Sequence, residues 1–325
     1  MNKNDESQNE TYGFFMTKPV NDWMGIAKTQ EDTKMLFDAF WKEGELCILF
    51  ADTGIGKTVL SVQIADSISK GIAIPGFKLE VEKQKVLYFD FELNEKQFQS
   101  RYTNDIGQEY VFDDGLLRVT IDNGFEFSNN SNFESVLIDE IEKTAIEKGT
   151  KIIVIDNLTY LRSDVERARD AGSFMRELNQ LKKKHRLSIL VIGHPPKKDP
   201  FKPITKNDLS GSKVIMNLID SSFTIGESQK DKTLRYIKQI KVRTGNYVFD
   251  SENVCICSIS KDDYFLQYKY IEQGCELEHL REMNEYNKSE RIEEAKLMKE
   301  KRMTNVEIGK RFGVTEGAVR LWLKE

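Results

Sequence analysis

The run Ala51-Asp52-Thr53-Gly54-Ile55-Gly56-Lys57-Thr58 has the residue types and spacing needed to hold a polyphosphate. Gly54 and Gly56 let backbone N–H groups turn inward onto phosphate oxygens without a Cβ in the way. Lys57 is placed to reach the β- and γ-phosphates of ATP and the Thr58 hydroxyl to ligand Mg²⁺, while Thr53, Ile55 and Val59 carry the turn from loop into helix. Ala51 stands where such loops usually have their first glycine. That position turns the chain without touching phosphate, so alanine there reads as a tolerated variant.

Further residues could complete this chemistry. The apolar run from Lys151 ends in Asp156-Asn157, and a carboxylate there can hold the Mg²⁺ shell beside Thr58. A second run, Val86 to Leu93, carries Asp90 and Glu92, which alternation puts on one face; either can polarise an attacking water. His194, at the tip of the strand pattern from Ser188, is positioned to sense the γ-phosphate; it reads equally as a structural histidine. Lys241 and Arg243 share one side of a strand closing at Thr244-Gly245, a spacing that suits two cations reaching one phosphate on an adjacent subunit.

The elements that must position these groups follow from periodicity. Leu46 to Phe50 reads as a buried strand, and Val59, Leu60, Val62, Ile64, Ala65 and Ile68 as an amphipathic helix behind the glycine loop. A helix is expected over 31–40, a strand over 117–121, a polar turn over 128–132 and a helix over 133–148. Later strands fall at 220–225, 234–242 and 254–259, the last two as a hairpin-like extension. Strands alternating with helices predict an α/β fold with a mostly parallel sheet and ligands at the carboxyl ends of its strands.

At 325 residues and 39% hydrophobic content, the chain can bury one large α/β domain and a small appendage. Its net charge of −5 means that nucleic-acid binding must come from local patches. One such patch is the prolyl, basic loop after His194, where Lys197, Lys198 and Lys202, with Lys206 beyond, can track a phosphate backbone or simply face solvent. The four cysteines and three histidines lack zinc-ligand spacing, and Cys255 and Cys257 read as small core residues. No signal core and no run of about 18 apolar residues occurs, so a cytoplasmic protein with no membrane partner is expected. Residues 1–11 are polar, whereas Tyr12 to Met16 and Trp23-Met24 are apolar and need a cover, either the chain's own domain or a neighbouring subunit.

With these motifs in hand, residues 29–272 resemble the RecA-like P-loop NTPase core of hexameric helicases, and most closely the RepA-type helicases and related ATPases of plasmids and mobile elements. Val86 to Leu93 is similar to the family strand ending in the catalytic glutamate, which favours Glu92 over Asp90. Gly193-His194 matches the family's polar γ-phosphate sensor, and Asp208-Leu209-Ser210-Gly211-Ser212 its Gly-Ser turn. Lys241-Val242-Arg243-Thr244-Gly245 resembles its KxRxG element, which implies Arg243 as an arginine finger and Lys241 as its helper, both acting across a subunit interface. The resemblance thus implies a homo-oligomeric ring, commonly a hexamer, around single-stranded DNA. Ala51 departs from the pattern, as does the lack of the extra N-terminal domain of DnaB-class helicases; recombinases and clock-type ATPases share these motifs.

The chain then divides into an arm (1–28), the ATPase domain (29–272), a linker (273–288) and a terminal module (289–325). Thr304 and Glu307 form a capping-box pair, Gly313 a turn, and Thr315 a cap for a last helix. Ile308, Phe312, Val314, Val319 and Trp322 are spaced for a three-helix core, with Gly309 at the helix crossing. The module resembles a helix-turn-helix of the transposase and sigma-factor type, implying that Thr315, Glu316, Gly317, Arg320 and Lys324 face a duplex major groove. Residues 286–325 carry six lysines and four arginines against seven glutamates, a local excess of +3 in a net acidic chain. A small protein-docking domain is the other reading of this module.

Overall fold

The computed structural model describes residues 11–12, 15–122, 133–157, 167–194, 202–209, 212–280 and 285–324. Two units follow from its contacts, residues 1–34 and 35–325. In the first, β1 (Thr11–Tyr12) pairs antiparallel with β2 (Phe15–Met16), and α1 (Val20–Lys28) follows Pro19, whose fixed φ suits a helix start. No residue of α1 is buried, and Val20, Trp23 and Met24 are exposed.

The second unit opens on β3 (Met35–Phe37) and β4 (Trp41–Lys42), an antiparallel pair. This corrects the helix expected over 31–40. Asp38 sits at φ 41°; its carboxylate accepts N–H bonds from Ala39 (2.7 Å) and Lys78 (2.9 Å), fixing a turn where a helix would continue. Phe37, Phe40 and Trp41 are buried, with Phe40 stacked on Phe249 at 4.8 Å. Their helix-like spacing is satisfied by an aromatic cluster.

The main sheet is built from β5 (Leu46–Phe50), β6 (Val86–Asp90), β7 (Leu116–Val119), β8 (Ile152–Asp156), β9 (Ser188–Gly193), β10 (Ser221–Glu227), β11 (Leu234–Val242), β12 (Val254–Asp262) and β13 (Phe265–Gly274). Across the sheet the order is β13-β12-β11-β10-β5-β9-β8-β6-β7. From β10 to β7 all pairings are parallel, and β10 to β13 form an antiparallel meander. The hairpin of β11 and β12 is therefore extended by β13, a strand the sequence reading missed.

Five helices accompany the sheet among the described residues: α2 (Lys57–Lys70), α3 (Glu95–Arg101), α4 (Phe133–Lys148), α5 (Arg167–His185) and α6 (Ser212–Leu218). Strand alternation sorts the side chains into two cores. Cys47, Leu49, Val86, Tyr88, Ile152, Val154, Leu190 and Ile192 pack with α2. Leu46, Ile48, Phe50, Leu87, Phe89, Ile153, Ile155, Ile189 and Val191 pack with α4, α5 and α6. By the same period of two, Asp90, Asp156 and His194 fall on the α2 side, the side of the glycine loop.

Residues 285–324 contribute α7 (Glu285–Glu300), α8 (Asn305–Phe312) and α9 (Glu316–Trp322). Ile292, Ala295, Met298, Ile308, Val319 and Trp322 make a core of their own, with Phe312 and Val314 partly buried against it. Thr304 and Glu307 close the expected capping box, Thr315 accepts from the Ala318 N–H, and Gly313 ends α8 at φ 68°. A Cβ on Gly309 would come within 2.7 Å of the Val314 carbonyl oxygen, so this helix pair closes only over glycine. Among the described residues, no helix is long and apolar enough to cross a membrane.

Candidate active site

The glycine loop joins β5 to α2. Gly54 (φ 78°) and Gly56 (φ 103°) take left-handed backbone conformations, whereas Ala51 has no positive φ, so its side chain costs nothing there. Gly56 is doubly constrained: a Cβ would lie 2.7 Å from Ile259 Cδ1 and 2.9 Å from the Tyr268 hydroxyl. That hydroxyl donates to the Ile55 carbonyl at 2.8 Å, and the Tyr268 backbone exchanges two hydrogen bonds with the Gln63 side chain on α2. The missed strand β13 thus braces the loop and its helix together.

Lys57 curls back over the loop. Its ammonium donates to the Ala51 and Asp52 carbonyls (2.7 and 2.8 Å) and lies 3.0 Å from His194 Nδ1. Burial pulls its pKa down to about 8, against the opposing pull of Asp156, Glu92 and Asp52. Burial, then Lys57, lowers the His194 pKa as well, which keeps the imidazole neutral. His194 Nε2 in turn faces the Asn157 amide nitrogen at 3.0 Å, and that nitrogen donates to Glu92 Oε2 at 2.8 Å. Lys57, His194, Asn157 and Glu92 therefore form one continuous chain. A neutral imidazole can accept at only one nitrogen, yet both face N–H groups. A phosphate oxygen taking up Lys57 supplies the acceptor that the chain lacks.

Asp156 is fully buried at the end of β8. Tyr88 donates to its Oδ2 at 2.7 Å, and the Ser61 hydroxyl lies 2.7 Å from that of Tyr88. Burial raises the Asp156 pKa to about 6, opposed by the nearby Thr58 and Tyr88 hydroxyls. Its Oδ1 is buried without a hydrogen-bond partner, while the Thr58 hydroxyl faces the same carboxylate. A hard, oxygen-seeking divalent cation fits this orphaned oxygen and hydroxyl.

The two acids of β6 part company. Asp90 is buried, and its carboxylate is spent on Arg118 Nε (2.8 Å) and on the N–H groups of Glu92 and Leu93 (3.1 and 3.0 Å). Arg118 also donates to the Leu93 carbonyl at 2.6 Å. β6 ends at Asp90, so Glu92 lies beyond the strand on an exposed loop that Asp90 shapes. The alternation expected to put both acids on one strand face does not extend that far.

Lys57, Thr58, Glu92, Asp156 and His194 are thus brought together; Lys241 and Arg243 are not. β11 runs antiparallel to β10, so Val242 pairs with Ser221, which pairs with Cys47 at the start of β5. The opposite end of β11 reaches the loop, where Arg235 Nε points at the Ile55 carbonyl at 3.4 Å. At ~3.4 Å per residue the ends of this strand stand about 25 Å apart, farther than a side chain can bridge. Lys241 donates to the Met216 and Ile219 carbonyls; Arg243 pairs with Asp220 at 3.2 Å and donates to the Asn217 and Ile219 carbonyls.

Among the basic residues considered for DNA, Lys202 and Lys206 are exposed, Lys206 opening a short turn capped by Thr205; Lys197 and Lys198 lie outside the described residues. Thr315, Glu316, Arg320 and Lys324 are exposed on and beside α9, where Arg320 pairs with Glu316 at 2.8 Å. The sequence reading gave no role to Asn157, Tyr88, Ser61, Arg118 or Arg235. Asn157 had a legible signal, an amide directly after the strand-end carboxylate; the others are found only once the strands are aligned.

A family described as AAA domain matches residues 15–200. Among solved structures, a KaiC-like protein from the hyperthermophilic archaeon Pyrococcus horikoshii OT3 is similar, with TM-score 0.48 and 14% identity, over 70% of this chain and 91% of that one. No curated protein matches the chain.

Proposed function

Because the chain belongs to the AAA domain family and carries a complete phosphate loop, we propose that it is an ATP-driven, ring-forming DNA helicase or translocase of a mobile genetic element. Residues 53–59 wrap the phosphates, and Lys57 leaves the Ala51 and Asp52 carbonyls for the β- and γ-oxygens. Thr58 and Asp156 would hold Mg²⁺, which would neutralise charge on the phosphates. Glu92 accepts a proton from the attacking water, and Asn157 fixes which of its oxygens is free to do so. His194 exchanges Lys57 for the γ-phosphate and passes its loss to the loop that follows.

The observation that carries this reading is the separation of Lys241 and Arg243 from the phosphate loop of their own chain by the length of β11. Cations that assist hydrolysis from that position must serve the site of another subunit. DNA enters the reading through Lys197, Lys198, Lys202 and Lys206, and through the basic terminal module. ATP-dependent displacement of a strand from a forked duplex is the expected activity, lost in Lys57→Ala. Robust DNA-dependent ATP hydrolysis without displacement would contradict it. That result would favour a DNA-bound regulatory or loader ATPase that switches assembly, a reading helped by Arg320, Lys324, Thr315 and Glu316 all being exposed on the terminal module.

A further inference from the structure

The trans-acting role given above to Arg243 raises the question of what aims it. A half-exposed arginine at the end of a strand samples many rotamers, and ordering it costs entropy at each encounter with a neighbour. In this chain the side chain is already committed. Its Nη1 meets Asp220 Oδ1 at 3.2 Å, and its Nη2 donates to the Asn217 and Ile219 carbonyls at 3.3 and 3.1 Å. Lys241 is held by the Met216 and Ile219 carbonyls. These carbonyls are the orphaned acceptors at the C-terminus of α6, the end of a helix that favours cations.

Asp220 is itself anchored. Its Oδ2 accepts the Leu46 N–H at 2.9 Å, the first residue of β5, and the Lys182 ammonium at 2.5 Å. One buried carboxylate therefore joins the cation pair to the strand that ends in the chain's own phosphate loop. We propose that Asp220 is the positioning residue for Arg243: with the carbonyls of Asn217 and Ile219 it holds the guanidinium in register with β5, so that the finger is presented ready-aimed to the next subunit. The proposal rests on the trans reading of Arg243 and adds the group through which that residue acts.

A purely structural role for Asp220 is the competing account, since removing it leaves Lys182 with no carboxylate and frees the Leu46 N–H. Mixing experiments separate the two. Asp220→Asn is expected to lower kcat about 10- to 100-fold, the cost of a misplaced catalytic group, with nucleotide affinity unchanged. Mixed with Lys57→Ala, it is expected to regain hydrolysis. The recovered sites are the intact phosphate loops of Asp220→Asn subunits, served by correctly held fingers from Lys57→Ala subunits. A damaged core in the Asp220→Asn subunit would not be repaired by a neighbour.

The parallel mixture of Arg243→Ala with Lys57→Ala reports on the underlying reading. If it recovers and the Asp220→Asn mixture does not, Asp220 is not the positioning residue, while the trans finger stands. If neither recovers, both ideas fall. Wild-type turnover by Asp220→Asn alone would also overturn the proposal. Should Asp220→Asn fail to fold, the Lys182→Met/Asp220→Asn double variant removes the buried pair together, which proteins tolerate better than a lone buried charge; the same two outcomes decide.

Discussion

Asp156 is the residue at which function and stability pull apart. A fully buried carboxylate with one unpartnered oxygen and a pKa raised to about 6 costs folding energy whenever it is charged. Because its folded pKa lies above the ordinary carboxylate value, its contribution is favourable below about pH 4 and is lost as pH rises through 6. Without nucleotide or Mg²⁺, Asp156→Asn should therefore stabilise the chain by about 3 kcal/mol at pH 7, with the gain vanishing near pH 4. Urea midpoints at the two pH values measure this; a variant less stable than the parent at pH 7 would contradict it. Much of the placement at this scale is legible in the sequence: a lysine and threonine behind two glycines, and an acid closing an aliphatic strand, are expected at one site by type and spacing, and the fold brings them together. Asp90 and Glu92 share type and parity, and the structure separates them: β6 ends at Asp90, whose carboxylate is taken by Arg118 from the adjacent strand β7 and by the Glu92 and Leu93 N–H groups, none of which local pattern reveals.

Elements bring these residues together, and here the reading from sequence failed in two instructive places. β13 escaped notice because Gln267, Lys269, Glu272 and Gln273 make its sequence polar, although Phe265 and Tyr268 face the core. The hairpin of β3 and β4 was mistaken for a helix because Phe37, Phe40 and Trp41 have helical spacing for a tertiary reason. The missed strand matters to the site. Tyr268→Phe deletes the bond to the Ile55 carbonyl while preserving the ring's packing, worth about 1 kcal/mol, so nucleotide should bind roughly 5-fold more weakly with kcat little changed. Equilibrium binding of a fluorescent ATP analogue tests this, and an unchanged affinity would show that β13 does not brace the loop. By contrast, the strands β5, β6, β8 and β9 are legible as apolar runs, because strands buried on both faces carry few polar residues to blur them.

At the scale of the whole molecule, the fold gathers Lys57, Thr58, Glu92, Asp156 and His194 around the glycine loop, with Arg235 beside the Ile55 carbonyl; on the proposed reading, the cations that would complete this site are Lys241 and Arg243 of another subunit. Within their own chain, β11 carries them to the other end of the sheet. Complementation between subunits is the measurement that bears on this most directly. Arg243→Ala and Lys57→Ala should each be nearly inactive alone. Mixed in equal amounts, they should recover a substantial fraction of ATP hydrolysis, because Arg243→Ala phosphate loops are then served by fingers from Lys57→Ala neighbours. Absence of recovery at every mixing ratio, with mixed assemblies demonstrably formed, would contradict a site completed by another subunit.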